Sequence, residues 1–170
     1  MITKKQESIM QGVNLSQLNH YVVQPVLNAF STPWNSQAAR NLLLGTAIHE
    51  SGAGEYLAQS GGGPALGIWQ MEPFTHDDCW QNFLNFQPAL AAAVRQFQVP
   101  GAGSAQMAYN LAYGCALARV KYIRAQPPLP DAEDANGMAL YYKRYYNSDL
   151  GAAIIDPALV ACFTQAVQTE

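Results

Sequence analysis

Charged residues are scarce in this sequence. They make up 12% of its 170 residues, with a formal net charge of −3, and the basic ones are scattered apart from two adjacent pairs, Lys4-Lys5 and Lys143-Arg144. Because phosphate binding needs clustered lysine and arginine, this distribution argues against a nucleic-acid partner.

Cysteines are also few. The three, Cys79, Cys115 and Cys162, are an odd number without C-x-x-C spacing, which argues against both a disulfide framework and a zinc site. We interpret them as small buried apolar groups. The triplet His76-Asp77-Asp78 offers metal-binding side chains, but consecutive residues of a helix do not converge on one face. We therefore predict neither a metal nor a cofactor.

Long apolar runs are absent. No run approaches the ~18 residues of a membrane-spanning helix, and the first residues lack the uninterrupted apolar stretch of a secretion signal. We therefore expect no membrane-spanning segment, and synthesis in the cytoplasm without a signal peptide. Apolar residues nevertheless make up 49% of the chain, enough for the core of one domain, which we place at 15–170 after an N-terminal arm at 1–14.

Apolar residues recur mostly at helical spacing, and the breaks between these segments predict where helices begin and end. Glycine is concentrated between Gly52 and Gly67, where six glycines and one proline predict a loop or a small irregular hairpin. Elsewhere we predict seven or eight helices, the first of them kinked or ended by Pro25. The expected caps or first residues are Asn14 or Ser16, Asn35 or Ser36, Pro73 or Thr75, Pro88, Ser104, Asp131 and Pro157.

Glu50 is the most informative single residue, because its helix carries it onto an apolar face. It recurs at helical spacing with Ala39, Leu43 and Ala47. A carboxyl partly removed from water has a raised pKa, so it can stay protonated and donate a proton. Gly52 ends the helix directly afterwards, at the edge of an opening. The competing interpretation is a solvated carboxylate at a helix end, although a negative charge there is disfavoured by about 0.3–1 kcal/mol.

Two short motifs at this point resemble those of a known family. Glu50-Ser51 ends a helix, a glycine-rich segment follows, and then comes Gly67-x-x-Gln70-x-x-Pro73. The pattern resembles the Glu-Ser and Gly-x-x-Gln motifs of lytic transglycosylases and related lysozyme-fold muramidases. The resemblance implies a mainly α, lysozyme-like domain of the goose-type lysozyme and lytic transglycosylase kind, with at most a small β-hairpin.

The third motif of that family, Ala-Tyr-Asn, has two candidate matches. Ala108-Tyr109-Asn110 matches it literally but lies inside a predicted helix without the usual glycine soon after. Tyr146-Asn147 lacks the leading alanine but lies at a predicted helix end with Gly151 following. Either pair is a candidate for substrate binding, and an asparagine in either place could equally cap a helix or pack as a buried amide.

The resemblance also implies a chemistry. Glu50 would protonate the β-1,4 bond after N-acetylmuramic acid while the sugar's N-acetyl group stabilises the positive charge on the ring, and Ser51, Gln70 and Met71 would contact the glycan. Glu50 would then take the proton of the C6 hydroxyl to give a 1,6-anhydro product, or, if water attacks instead, the same residues form a muramidase. A hydrolytic enzyme could position that water with one of three carboxylates, Glu72, Asp77 or Asp78. Helix capping is the competing role for all three.

Two classes of function follow. The first is an enzyme that cleaves the peptidoglycan glycan strand, and the lack of an export signal associates it with a bacteriophage virion or with delivery to the periplasm, beside other virion or tail proteins. The second is a noncatalytic lysozyme-fold component of a phage tail or ejection apparatus, in which Glu50 is vestigial. A pore-forming membrane protein is disfavoured by the absence of a spanning segment.

Overall fold

The computed structural model describes residues 12–147 and 155–169, and these residues form eight α-helices. Their bounds are α1 Leu15–Leu18, α2 Gln24–Ala29, α3 Gln37–Ser51, α4 Pro73–Asn82, α5 Pro88–Arg95, α6 Leu111–Ile123, α7 Ala135–Tyr145 and α8 Pro157–Val167. A π-helical segment, Asn19–Val23, joins α1 to α2, and the 3-10 segments Leu84–Phe86 and Gly103–Ala108 precede α5 and α6. The prediction of a mainly α fold is confirmed.

The first helix is interrupted where Pro25 predicted a break. Asn14 caps α1, since its Oδ1 accepts the N–H of Gln17 at 3.1 Å. Pro25 has no N–H, and the π-helical segment before it accommodates the missing hydrogen bond. Of the predicted N-terminal arm, residues 1–11 lie outside the described residues, and the N–H of Val13 donates to the carbonyl of Ala53 at 2.9 Å.

Helix α3 runs through the core and carries Glu50 in its last turn. Ser36 caps it, because its hydroxyl accepts the N–H of Ala39 at 3.1 Å, and Gly52 ends it in the left-handed conformation at φ +59°. Gly45 allows α8 to pack tightly against α3, since a Cβ there would lie 2.2 Å from the ring of Phe163. Both ends of the helix are as the sequence predicted, and α8 supports the turn that carries Glu50.

Helix α6 begins later than the sequence predicted. The expected cap was Ser104, but residues 103–108 form a 3-10 segment and the cap is Asn110, whose Oδ1 accepts the N–H of Tyr113 at 3.1 Å. The reason is local competition, because the buried side chain of Gln106 bonds backbone groups of Val99 and Gly103 and stabilises a turn there. From residue 113 to residue 120 every side chain is buried, so α6 lies in the middle of the fold.

Two other helix starts are corrected or resolved. Asp134 rather than Asp131 caps α7, accepting the N–H of Gly137 at 2.8 Å. A Cβ on Gly137 would lie 2.2 Å from the Asp134 carboxylate, so the glycine gives the cap its room. Helix α4 begins at Pro73 without a side-chain cap, which leaves Thr75 within its first turn. Helices α5 and α8 begin at their prolines, as predicted.

The segment between α3 and α4 forms no strand within the described residues. It contains two isolated antiparallel bridges, from Leu66 to Ala58 and from Leu66 to Met71, which make the small irregular hairpin that the glycine content predicted. Among the described helices none is long and apolar enough to cross a membrane.

Candidate active site

A polar cleft of about 630 Å³ opens where α3 ends, a volume within the usual range of ligand sites. The lining residues are Glu50 of α3, Tyr56, Gln59, Ser60 and Ala65 of the glycine-rich segment, Gln70 and Glu72 before α4, Thr75 of α4, Lys121 of α6, and Tyr146 and Asn147 after α7. The structure therefore brings together Glu50, Gln70 and the Tyr146-Asn147 pair, which were selected from separate parts of the sequence.

Glu50 lies half-buried in the last turn of α3. The hydroxyl of Tyr142 donates to its Oε1 at 2.7 Å. Burial raises the pKa of Glu50, and this effect exceeds the opposing effects of the Tyr142 hydrogen bond and of the positive charges on Lys121 and Lys143. The carboxyl thus has the environment expected of a proton donor.

Gln70 lies in a tight turn in which it and Gly67 both have positive φ angles. Its φ is +44°, and its Nε2 donates to the carbonyl of Gly67 at 2.7 Å. A Cβ on Gly67 would lie 2.1 Å from the carbonyl oxygen of Met107, so glycine is required where the turn packs against the 3-10 segment. Trp69, which lies between Gly67 and Gln70 in the chain, is buried, and its indole N–H donates to the carbonyl of Leu43 at 2.9 Å. The turn is fixed to α3 and presents Gln70 to the cleft.

Ser51 and Met71 do not contact the cleft, which corrects the prediction that they bind substrate. Ser51 is 1% exposed, and its hydroxyl donates to the carbonyl of Ile68 at 2.7 Å while accepting the N–H of Gly54 at 2.9 Å. Met71 is 2% exposed and packs in the core. Ser51 instead joins the end of α3 to the turn that carries Gln70, because both of its neighbours belong to the loop that follows the helix.

The two Tyr-Asn pairs have different environments. Tyr146 and Asn147 line the cleft, with the hydroxyl of Tyr146 donating to the carbonyl of Trp69 at 2.8 Å. Tyr109 is 63% exposed and does not line the cleft, while Asn110 caps α6. Of the two candidate pairs, the structure therefore places Tyr146-Asn147 at the cleft and Tyr109-Asn110 outside it, where the amide of Asn110 is used at the start of α6.

Two residues that act on Glu50 were missed by the sequence analysis: Lys121, which lines the cleft, and Tyr142, which is buried and donates to Glu50. Tyr142 precedes Tyr146 by one helical turn and so shares its face of α7, which is the signal that could have found it. Its pKa is raised by burial and by the adjacent Glu50. Lys121 follows a continuous run of buried residues in α6, and burial lowers its pKa. A cation in that position is the same kind of anomaly that selected Glu50.

Of the three acidic residues considered as a second carboxylate, only Glu72 lines the cleft. Asp77 bonds the ring of His76 at 2.8 Å, and Asp78 pairs with Arg124. Neither caps α4, whose first turn contains no acidic residue, so the capping role expected for them is wrong. Within the described part of the chain, no cluster of three metal-binding side chains is found.

No protein family, curated protein or solved structure that was compared with this chain matches it. Inferences about function therefore depend on the geometry of the cleft and on the short motifs that line it.

Proposed function

We propose that this chain is a peptidoglycan-cleaving lytic transglycosylase or muramidase with a lysozyme-like fold, in which Glu50 is the general acid. The observation that carries the proposal is a half-buried carboxyl with a raised pKa at one side of a polar cleft that Gln70 also lines. Such a carboxyl protonates a leaving group near neutral pH, and an amide beside it can orient an uncharged sugar by hydrogen bonds.

The hydrogen bonds around Glu50 determine which of its oxygens carries the proton. The amide Nδ2 of Asn147 lies 3.2 Å from the hydroxyl of Tyr142 and can only donate to it. The hydrogen of Tyr142 is then directed to Oε1 of Glu50, 2.7 Å away. Because Oε1 accepts this bond, the acidic proton resides on Oε2, and we propose that Oε2 protonates the glycosidic oxygen.

The proposed reaction needs one carboxyl. The proton of Glu50 passes to the leaving oxygen as the C1–O bond breaks, and the sugar's N-acetyl oxygen stabilises the positive charge at C1. The C6 hydroxyl then attacks C1 and returns its proton to Glu50, which gives a 1,6-anhydro product and restores the acid. For the hydrolytic outcome, Glu72 is the carboxylate that could position a water, since it lines the same cleft.

The proposal extends to the setting of the enzyme. We propose the peptidoglycan glycan strand as its partner, and association with a virion or delivery to the periplasm as its place of action. The polar lining of the cleft suits a hydroxyl-rich substrate, because each sugar hydroxyl needs a hydrogen-bond partner when it leaves water.

The test is release of soluble muropeptides from purified peptidoglycan by the native chain and by Glu50→Gln. We expect release by the native chain only, since the amide cannot donate the required proton. Mass analysis then separates the two chemistries, because an anhydro end is lighter than a reducing end by one water. Asn110→Ala, altered at the pair outside the cleft, is the matched control and should retain the native rate.

The outcome that contradicts the enzyme proposal is equal binding to peptidoglycan and no release by either protein. That result would favour a noncatalytic component of a phage tail or ejection apparatus. Equal release by both proteins would show that Glu50 is not the acid.

A further inference from the structure

Lys121 has contacts that the proposed chemistry does not use. It is half-buried in α6 and lines the cleft. Its Nζ donates to the carbonyl of Tyr146 at 2.6 Å and lies 4.1 Å from the centre of that residue's ring. No carboxylate of the described residues lies within ion-pair distance of it. A lysine half removed from water is costly unless its ammonium has a specific partner, and here that partner is a backbone carbonyl.

The carbonyl of Tyr146 lies directly after the last turn of α7. Helix ends leave carbonyl groups without backbone partners and carry partial negative charge, so a cation there is stabilising. The N–H groups of Tyr146 and Asn147 both donate to the carbonyl of Tyr142, at 2.8 and 3.1 Å. Lys121 therefore holds the other face of the turn that leads from α7 to Asn147.

This turn leads back to Glu50 through two hydrogen bonds. Asn147 donates to the hydroxyl of Tyr142, which donates to Oε1 of Glu50. The hydroxyl of Tyr142 has a single hydrogen, and the direction of this O–H bond depends on Asn147 remaining in position as a donor to the same oxygen. If the Tyr146 carbonyl were no longer held, Asn147 could move, and the hydroxyl of Tyr142 would lose the donor that fixes its orientation.

We propose that Lys121 is a positioning residue for Glu50. By fixing the Tyr146 carbonyl at the end of α7, it keeps in place the two hydrogen bonds, from Asn147 to Tyr142 and from Tyr142 to Glu50, that orient the Glu50 carboxyl in the cleft. The role in catalysis rests on the proposed function, whereas the effect of Lys121 on the Glu50 carboxyl does not.

Lys121 acts on Glu50 by its charge as well as by this turn. The ionisable groups that act on Glu50 or share its surroundings are Lys121 and Tyr122 of α6, Tyr142 and Lys143 of α7, Tyr146 after it and Glu72 before α4. The two lysines both lower the pKa of Glu50, and the effect of Lys121 is the larger. Removing the charge at position 121 therefore raises the pKa of Glu50.

The primary experiment is a carbon-13 titration of the glutamate side-chain carboxyls in the full chain, with the Glu50 signal identified by its loss in Glu50→Gln. In Lys121→Met we expect the Glu50 midpoint to move to higher pH, and Lys121→Arg, which keeps the charge, should restore most of the native midpoint. Lys143→Met is the matched control, because it also removes a positive charge near Glu50, while Lys143 makes no hydrogen bond to Tyr146 or Asn147, the described residues of the turn. Its shift should be smaller.

A second measurement isolates the turn from the charge. If Lys121 acts through Tyr142, the shifts of Lys121→Met and Tyr142→Phe should not add in the double variant. On peptidoglycan, Lys121→Met should lower kcat by roughly tenfold to a hundredfold, with KM little changed, because misplacement of a catalytic group affects mainly the chemical step.

The outcomes distinguish the two proposals. Superimposable Glu50 titrations for the native chain and Lys121→Met would overturn the role of Lys121, whatever the activity. A shift that is not additive with that of Tyr142→Phe, in a chain that releases no muropeptides, would support the positioning role and contradict the proposed function. Additive shifts would show an effect of the Lys121 charge alone and would overturn the positioning role. If Lys121→Met does not fold, Lys121→Gln takes its place in both the titration and the double variant with Tyr142→Phe, and additive shifts would again overturn the positioning role.

Discussion

The same dipeptide, Tyr-Asn, occurs at two places and does different work at each. Asn110 stands before a helix, where its Oδ1 accepts the N–H of Tyr113 and its Nδ2 donates to the carbonyl of Phe97 at 2.7 Å. Asn147 stands after a helix, where its amide donates to the hydroxyl of Tyr142. At a helix start the free N–H groups take up an asparagine oxygen. After a helix end no such N–H groups compete, and the amide is available to a neighbouring side chain.

The partner tyrosines differ in the same sense. Tyr109 is 63% exposed, whereas Tyr146 is 4% exposed and is held between Trp69 and Lys121. The pair in the literal Ala-Tyr-Asn match thus lies at the start of α6, whereas the Tyr-Asn pair that lacks the leading alanine lines the cleft. The context of a motif, meaning the helix boundary beside it, is more informative than its spelling.

Of the substitutions considered, Glu50→Gln should have the largest effect on the rate of peptidoglycan release. Removing a general acid lowers the rate by about 10²–10⁴-fold. The same change should increase stability near neutral pH, because burial raises the folded-state pKa of Glu50 and ionised Glu50 therefore destabilises the native state. Below the ordinary carboxyl pKa the group is protonated in both states, so the gain should disappear there. Urea unfolding of both proteins across this pH range measures it, and a gain that persists in acid would contradict the assignment.

The matched pair Asn110→Ala and Asn147→Ala tests the comparison directly. Asn110→Ala removes a helix cap and leaves a carbonyl without its donor, so it should lower the free energy of unfolding by about 1–3 kcal/mol without changing the specific activity of folded protein. Asn147→Ala should change stability by less than about 1 kcal/mol and lower peptidoglycan release. The comparison fails if the two variants exchange these effects.

Tyr142→Phe should have a smaller effect, expressed mainly as a change in pH dependence. The Tyr142 hydrogen bond lowers the pKa of Glu50, so its removal should raise that pKa. Because the acid must be protonated to act, kcat/KM falls as pH rises through the pKa, and in the variant this fall should occur at higher pH. A fall at the native pH or below it would show that Tyr142 does not bond Glu50 in solution.

Tyr109→Ala should have the smallest effect. Its side chain is largely exposed, so the free energy of unfolding should change by less than about 0.5 kcal/mol and the activity should not change. Thermal unfolding and muropeptide release check both. A loss of activity comparable with that of Asn147→Ala would mean that the glycan extends over α6.

The sequence predicted the helices well where a single residue decides the boundary. Ser36, Gly52, Pro88 and Pro157 mark ends that the structure reproduces, because a cap, a left-handed residue or a missing N–H acts locally. It failed at Ser104 and Asp131, where the true cap lies three or six residues further on. Those boundaries depend on tertiary contacts, such as the bonds of Gln106 to Val99 and Gly103, which no local pattern reveals.

The site was predictable in part for a related reason. Glu50 could be selected because a carboxyl on an apolar helix face is visible as an anomaly in the sequence, and Gln70 was selected by its resemblance to the Gly-x-x-Gln motif. Ser51 lies next to the acid, yet its hydroxyl is buried and used by the backbone, and neighbours in sequence on a helix do not share a face. Tyr142 and Lys121 each carry a signal in the sequence, but nothing local shows that their partners are Glu50 of α3 and the carbonyl of Tyr146.

The central claim is that Glu50 is the proton donor of the cleft, and the most direct test compares two curves from the same protein. One is the carbon-13 titration of the Glu50 carboxyl, and the other is the pH dependence of kcat/KM for muropeptide release. We expect the titration midpoint above the ordinary carboxyl value and the fall in kcat/KM at that same pH. A Glu50 carboxyl that titrates at the ordinary value, or a rate that does not change across its midpoint, would contradict the account.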